Sequence, residues 1–288
     1  MIIVRYSELG LKGNNRSFFE KRLVKNIRFC LKNNGLPSTG VRRIRGRILV
    51  DSDEKALPYL KNVFGIASIS HATAVPLNLE EMKKAALEYA KARIGSFNTF
   101  RVTCQRIDIR FPIDSMTLEK TIGEVVFETL HKKVSLKEPE LNIQFDIADQ
   151  AYLFDEKIEG PGGLPIGSEG RVMVLMDNQE GRDAKGTRNS LIAAYLLFKR
   201  GCSILPVGTK ELDLSPLAAY ASGGKLLFHK VESFDGLDKL AAEKKILAII
   251  VPDIATDVKT YPFKTAILRP LVGYTENELA EMEKRLFG

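Results

Sequence analysis

The spacing of apolar residues changes near residue 160, where a mixed pattern gives way to alternating strands and helices. Before that point, apolar residues at positions 19, 23, 27, 30 and 31 predict a helix with one core-facing stripe. The segment Leu141–Ile147 alternates apolar and polar residues, which is typical of a half-buried strand. After the turn-rich connector Gly160–Gly167, unbroken apolar runs such as Ile246–Val251 predict strands buried on both faces, as in a parallel α/β sheet.

These patterns predict three domains. Residues 1–75 have the order β-α-β-α-β, which fits a ferredoxin-like α+β domain. Within it, Ser17 and Glu20 are expected to form a capping box, Val41–Val50 to form one strand, and residues 53–64 to form a helix. Residues 76–166 are expected to form a second α/β domain, and residues 167–288 a Rossmann-like α/β domain with a parallel sheet.

Positive charge is concentrated at the start of the chain. The net charge is +7 over 288 residues, yet the first fifty residues alone hold twelve Lys and Arg against two acidic residues. Five of these cations lie on the surface of the first predicted helix: Lys21, Arg22, Lys25, Arg28 and Lys32. A phosphate-backbone binder is expected to show such an asymmetry, although a solvated basic face would produce the same composition.

The composition also argues against several classes of protein. No segment approaches the ~18 apolar residues of a membrane span, and the N-terminus does not have the pattern of a signal peptide. The three cysteines are far apart, which suits a reducing cytosol and a cytoplasmic location and argues against structural zinc. The three histidines are isolated, so no metal site is expected.

Several motifs, taken in order, resemble the tRNA 4-thiouridine synthase family, whose members also supply sulfur for thiamine synthesis in some lineages. The N-terminal segment Tyr6–Arg16 resembles that family's signature, and Phe64–Ser68 resembles the end of its ferredoxin-like domain. Phe111–Ser115 with Gly123-Glu124 resembles its THUMP domain, an RNA-binding module. Gly162–Gly167 and Leu268–Leu271 resemble segments of its ATP-pyrophosphatase domain, which corresponds here to residues 167–288.

The resemblance implies that the first two domains bind tRNA, with the acceptor stem and 3′ end as the expected contact region. Lys and Arg contact phosphates without reading sequence, and A-form RNA is recognised mostly by shape. The candidate RNA-binding residues are Lys12, Arg16, Arg42, Arg43, Arg45, Arg47, Arg101, Arg106 and Arg110. Each of them has the alternative of being a surface cation with no partner.

The family's phosphate-binding loop is not recognisable in this sequence. Active relatives adenylate uridine with ATP held by a Ser-Gly-Gly-x-Asp-Ser loop after the first strand of the catalytic domain, where glycines let backbone N–H groups approach phosphate oxygens. Residues 177–190 read Asp-Asn-Gln-Glu-Gly-Arg-Asp-Ala-Lys-Gly-Thr-Arg-Asn-Ser instead. The spacing of Gly181 and Gly186 is that of a P-loop, but Thr187-Arg188 replaces the required Lys-Ser/Thr.

The catalytic cysteine of the family is also not recognisable, because no cysteine follows Cys202. No catalytic residue is therefore assigned. The sequence predicts a tRNA-binding protein without adenylation and sulfur-transfer chemistry of its own, and no cofactor is expected. The alternative is an active ATP-dependent tRNA sulfurtransferase with a divergent loop, for which ATP is the cosubstrate. A homodimer, or pairing with a separate catalytic subunit, is left open, as is an assembly role for the third domain.

Overall fold

The computed structural model describes residues 1–6, 13–176, 184–222 and 224–288, without the side chains of 184 and 185. These residues form two compact units. Unit 1 contains Met1–Tyr6, Thr39–Leu57 and Ser68–Glu159, and unit 2 contains the other described residues. Part of the segment that resembles the family's N-terminal signature (residues 7–12) and part of the phosphate-loop position (residues 177–183) lie outside the described residues.

The first sheet of unit 1 is antiparallel. Its strands are β1 (Ile2–Arg5), β2 (Val41–Ile44), β3 (Arg47–Val50), β4 (Ser68–His71) and β10 (Ile158–Glu159), in the order β10-β4-β1-β3-β2. The prediction of one strand over Val41–Val50 is wrong, because the chain reverses there into a hairpin. Gly46 makes this possible with a φ of +70°, a conformation that costs glycine little.

The helix predicted over residues 53–64 is much shorter in the structure. The side chain of Asp53 caps a 3-10 turn over Glu54–Ala56, which leads into α2 (Leu57–Leu60). The chain then turns through Gly65, whose φ is +96°. The next strand, β4, therefore begins at Ser68.

The second sheet of unit 1 is mixed and carries two helices on one face. Its strands are β5 (Thr73–Val75), β6 (Thr99–Arg106), β7 (Lys133–Val134), β8 (Leu141–Ile147) and β9 (Ala151–Phe154), in the order β5-β9-β8-β6-β7. Helices α3 (Leu79–Lys91) and α4 (Ser115–Leu130) begin at the capping side chains of Asn78 and Asp114. Both helices pack on the same core as Phe100 and Phe145, while Tyr152 and Phe154 pack with Ile3 of the first sheet.

Helix α1 (Arg16–Asn33) belongs to unit 2 and follows a 3-10 turn over Gly13–Asn15. The predicted capping box is wrong because the helix begins one residue before Ser17, and Asn15 at the N-cap makes no side-chain capping bond. The predicted apolar stripe is confirmed: Phe19, Leu23, Ile27, Cys30 and Leu31 are all buried. The sequence thus identified the inner face of the helix correctly but not its start.

The rest of unit 2 is a doubly covered parallel sheet. Its strands are β11 (Arg171–Leu175), β12 (Ser203–Gly208), β13 (His229–Lys230), β14 (Ile249–Ile250) and β15 (Ile267–Leu268), in the order β13-β12-β11-β14-β15. Its helices are α5 (Ala184–Lys199), α6 (Ser215–Ala218), α7 (Leu237–Lys244) and α8 (Glu276–Phe287). Along β11, Val172 and Val174 pack towards α5 and α8, whereas Met173 and Leu175 pack towards α7. The predicted burial of the sheet on both faces is confirmed.

The last helix has a well-defined start. Thr275 and Glu278 form a complete capping box at the start of α8, in which the Thr275 hydroxyl accepts from the backbone N–H of Glu278 and the Glu278 carboxylate accepts from that of Thr275. Among the described residues, no helix has both the length and the apolar character that a membrane crossing requires.

Candidate RNA-binding surface

Four of the predicted arginines lie on the β2–β3 hairpin, and three of them, Arg42, Arg45 and Arg47, face a carboxylate. Arg42 donates to the exposed Asp149 across 3.1 Å, and Arg45 lies 3.7 Å from Asp108. Arg47 donates from Nε to Asp146 across 2.8 Å and from Nη2 to the side chain of Gln105. These cations are therefore partly neutralised within the protein, which lowers the charge that they present to an anion.

The contact made by Arg47 is part of a buried cluster. Asp146 is only 2% exposed, and its Oδ2 also accepts from Nε of Arg5, across 3.2 Å. Arg5 donates from Nη1 to Ser70 and lies over the ring of Phe154. Because Arg5 and Arg47 come from the first sheet of unit 1 and Asp146 from the second, this carboxylate ties the two sheets together. The geometry gives Arg47 a structural role that its sequence position did not reveal.

The predicted arginines around the second sheet are also held by local contacts. Arg101 donates to the carbonyl of Leu136, and Arg106 donates to the carbonyls of Phe111 and Ile113. Arg110 forms a bidentate pair with Asp108, the residue that also faces Arg45.

Asp108 thus brings two of the predicted contacts, Arg45 and Arg110, to one place. The hydrogen bonds from Arg110 lower the pKa of the Asp108 carboxyl to about 2, so that it is ionised at neutral pH. The side chains of Arg45 and Arg110 remain largely exposed despite this pairing. The pair therefore presents two accessible guanidinium groups around a single negative charge.

The three remaining candidates are Arg16, Arg43 and Lys12. Arg16 is the first residue of α1 and donates to Glu20 one turn later, across 2.7 Å. Arg43 is exposed on β2. Lys12 lies outside the described residues.

A further basic surface lies on α1 and was not among the predicted contacts. Its exposed residues are Phe18, Lys21, Lys25, Arg28, Phe29 and Lys32, named here the α1 basic face. At 3.6 residues per turn these positions fall within an arc of about 100° and extend over about 21 Å of helix. No acidic residue lies among them. Lys21, Lys25 and Lys32 form no ion pair with any residue in the described part of the chain.

The opposite side of α1 is firmly attached within unit 2. Asn26 donates from Nδ2 to the carbonyl of Ile166 across 3.1 Å. A Cβ at Gly65 would lie 3.2 Å from the side chain of Leu23 and 3.0 Å from Pro165, a crowded position, and the φ of +96° there also favours glycine. These contacts hold the helix from behind and leave the α1 basic face open.

None of the three cysteines is placed for nucleophilic chemistry. Cys30, Cys104 and Cys202 are free thiols and are all buried. Burial raises the pKa of Cys30 to about 11 and that of Cys104 to about 12, and it also raises the pKa of Cys202. Because the thiolate is the reactive form, burial makes these thiols less reactive than an exposed thiol.

The parallel sheet of unit 2 has the topology of nucleotide-binding folds. Strand order reverses between β11 and β14, and ligands of open α/β sheets bind where the carboxyl ends of such strands diverge. After β14, the buried Asp253 accepts hydrogen bonds from the Tyr261 hydroxyl, from Nε of Arg269 and from the backbone N–H of Lys259. This network orders the loop on one side of the crevice. Residues 177–183, which follow β11 on the other side, lie outside the described part.

Two protein-family models match the first part of the chain. Residues 1–70 match the ThiI ferredoxin-like domain, and residues 77–154 match the THUMP domain. These matches include the β2–β3 hairpin, α1 and the Asp108 cluster.

Two related proteins match more of the chain than these domain models do. A probable tRNA sulfurtransferase of Moorella thermoacetica is 30% identical over 337 residues, which include 99% of this chain and 83% of that protein. The chain belongs to the tRNA sulfurtransferase family. A second member, from Caldanaerobacter subterraneus, is 36% identical over 208 residues. That match includes 71% of this chain but only 52% of the relative, so the chain spans about half the length of this relative.

Two solved structures share the fold of this tRNA sulfurtransferase family member. PH1313 from Pyrococcus horikoshii has a TM-score of 0.83 and 32% identity, and the match covers 99% of this chain and 98% of that one. A 4-thiouridine synthetase, solved with RNA and ATP, has a TM-score of 0.77 and 24% identity over 99% of this chain and 84% of its own. The predicted fold class, with ferredoxin-like and THUMP domains followed by a parallel-sheet domain, is confirmed.

Proposed function

We propose that this chain is a tRNA-binding member of the tRNA sulfurtransferase family. In this proposal a ferredoxin-like domain over residues 1–75 and a THUMP domain over residues 76–166 hold tRNA near the acceptor stem and 3′ end. The observation that carries it is the α1 basic face, where Lys21, Lys25 and Lys32 are exposed and form no ion pair with a carboxylate among the described residues. Cations of this kind release counterions on binding RNA, which makes binding favourable and dependent on salt.

The Asp108 cluster provides further support. Arg45 and Arg110 are exposed and need only exchange part of their contact with Asp108 for one with a phosphate. Arg47 is less suited to such an exchange, because it would have to leave a buried carboxylate. Among the predicted contacts on the hairpin, we therefore favour Arg42, Arg43 and Arg45 as RNA contacts over Arg47.

We further propose that the chain does not itself adenylate or thiolate tRNA. Residues 177–190 lack the run of small residues that lets backbone N–H groups surround phosphate oxygens, and the stretch carries Asp177, Glu180 and Asp183. The burial of all three thiols supports the same conclusion for sulfur transfer. In this proposal the domain over residues 167–288 is a degenerate ATP-pyrophosphatase-type domain, and a separate catalytic subunit acts on the bound tRNA.

The second candidate function is an active, ATP-dependent tRNA sulfurtransferase with a divergent loop. The reversal of strand order between β11 and β14 favours it, because this topology provides a crevice for a nucleotide. The two functions differ in their response to ATP. A ligand that binds the native state raises its melting temperature, so millimolar ATP raises it only if the nucleotide site is retained.

Equilibrium titration of tRNA over a range of salt concentrations tests the RNA-binding proposal. Intact tRNA is compared with tRNA lacking its 3′ single strand. We expect sub-micromolar affinity for intact tRNA that falls steeply with salt and also falls on removal of the 3′ end. An affinity no tighter than the ~10⁻⁴–10⁻⁶ M of non-specific binding would contradict the proposal.

The proposed loss of chemistry is tested by incubating the purified chain with tRNA, ATP and a sulfur donor. We expect no 4-thiouridine in the tRNA after digestion to nucleosides. Formation of 4-thiouridine by the chain alone would establish the second candidate function instead.

A further inference from the structure

The α1 basic face contains two aromatic side chains as well as cations. Phe18 is 50% exposed and Phe29 is 48% exposed, although the helix offers buried positions on its other side. They lie eleven residues apart, about 16 Å along the helix axis. Because eleven residues are close to three full turns, the two rings lie on the same side of α1, with Lys21 and Lys25 between them along the helix.

Each ring contacts a neighbouring group and is about half exposed to solvent. Phe18 stacks edge to face on the buried Phe19, with ring centroids 5.3 Å apart. A Cβ built on Gly224 would lie 3.3 Å from the ring of Phe29, so that ring rests beside a glycine. A supported aromatic ring with a free face is a suitable platform for a planar ligand, since little side-chain entropy is lost when the ligand stacks on it.

We propose that the α1 basic face binds unpaired RNA, with Phe18 and Phe29 stacking on bases and the cations of the face holding the phosphates between them. Proteins that bind single strands combine a positive track with aromatic side chains in this way. This inference rests on the proposed function and makes it more specific, because it assigns an RNA contact to unit 2 and to single-stranded RNA.

A duplex would use the same surface differently. In an A-form helix the bases are already stacked on one another, so an aromatic side chain on a protein surface gains contact only at an end or a loop. The lysines attract the phosphates of either form. The charge of the α1 basic face therefore provides affinity for RNA in general, whereas its two phenylalanines provide a preference for unpaired bases.

The test uses the full chain and two RNAs with the same number of phosphates, a single strand and a fully paired duplex without a loop. The variants are Phe18→Ala, Phe29→Ala and the double variant. Phe127→Ala is the matched control, because Phe127 is 49% exposed on α4 in unit 1. Intact tRNA is titrated in parallel, and melting temperatures establish that each variant is folded.

Each single variant is expected to lower affinity for the single strand by about 5- to 100-fold, which corresponds to one stacked base, and to leave the duplex affinity unchanged. The dependence on salt should not change, because no charge is removed. Phe127→Ala should have no effect on either RNA. Equal losses on both RNAs, or no loss in the double variant while the wild-type chain binds tRNA tightly, would overturn the inference and leave the proposed function standing.

The lysines are tested separately with Lys25→Ala, and Lys84→Ala on α3 serves as an exposed control. Lys25→Ala should weaken binding of both RNAs and make the slope of log affinity against log salt shallower by about 0.7–0.9. An unchanged slope would show that the face does not contact phosphates. If the wild-type chain binds no RNA more tightly than non-specific binding allows, the proposed function fails and this inference fails with it.

Discussion

Replacing Asp146 with Asn removes the negative charge that joins the two sheets of unit 1. The carboxylate is 2% exposed, and the side chains of Arg5 and Arg47 that it neutralises are 9% and 11% exposed. Both guanidinium groups donate to the same oxygen, at 3.2 and 2.8 Å. The amide oxygen of Asn can still accept these hydrogen bonds, but two nearly buried cations lose their counter-charge.

The expected cost follows from this burial. Removing one partner of a buried ion pair costs about 3–5 kcal/mol, because the remaining charge is left uncompensated away from water. Here two arginines share the carboxylate, so we expect a value in the upper part of this range.

Urea denaturation followed by circular dichroism measures the effect, and Asp149→Asn is the control. Asp149 lies three residues along the chain and also pairs with an arginine, but that pair is about half exposed, with side-chain exposures of 53% for Arg42 and 45% for Asp149. Exposed pairs contribute about 0–1 kcal/mol. If Asp146→Asn destabilises the protein no more than Asp149→Asn, the reasoning about the buried cluster is wrong.

Three further predictions concern the carboxylates, the last helix and the thiols. The pKa of Asp108 is lowered to about 2, so its pairing should stabilise the folded state fully above the usual carboxyl pKa of about 4, and this stabilisation should be lost as pH falls towards 2. The difference in unfolding free energy between the wild-type chain and Asp108→Asn should therefore shrink over that interval. A difference that stays constant from pH 7 to pH 2 would refute this. Thr275→Ala removes the capping hydroxyl of α8 and should lower the free energy of unfolding by about 1 kcal/mol. Ser233→Ala, in an exposed loop, is the control. Equal effects of the two substitutions would argue against the cap. The three cysteines should resist alkylation by iodoacetamide at pH 8 in the native state and react fully in denaturant. Mass spectrometry measures the extent of alkylation. Rapid alkylation of a thiol in the native protein would show that this thiol is accessible.

Much of the fold follows from local patterns. The stripe of α1, the buried parallel strands and the capping box at Thr275 are short-range features, and all of them are present in the structure. The strand Leu141–Ile147 is also present, but the prediction that it is half-buried is wrong, because Gln144 and Asp146 on its polar face are buried as well. The other errors occurred where an element ends or reverses. A single glycine, Gly46, converts one apparent strand into a hairpin, and apolar periodicity does not register a turn inside a run of β-forming residues.

The candidate RNA-binding surface could likewise be predicted from the sequence only in part. By itself, the sequence determined the family resemblance, the concentration of cations in the first fifty residues and the presence of an RNA-binding module. It could not determine which cations are available, because that depends on carboxylates about a hundred residues away: Asp146 and Asp149 neutralise Arg47 and Arg42 only after the two sheets have come together. The exposure of Phe18 and Phe29, beside lysines that form no ion pair in the described part of the chain, likewise depends on which face of α1 packs against the rest of unit 2. Sequence specifies charge and periodicity locally, whereas counter-charge and exposure depend on tertiary contacts between distant segments.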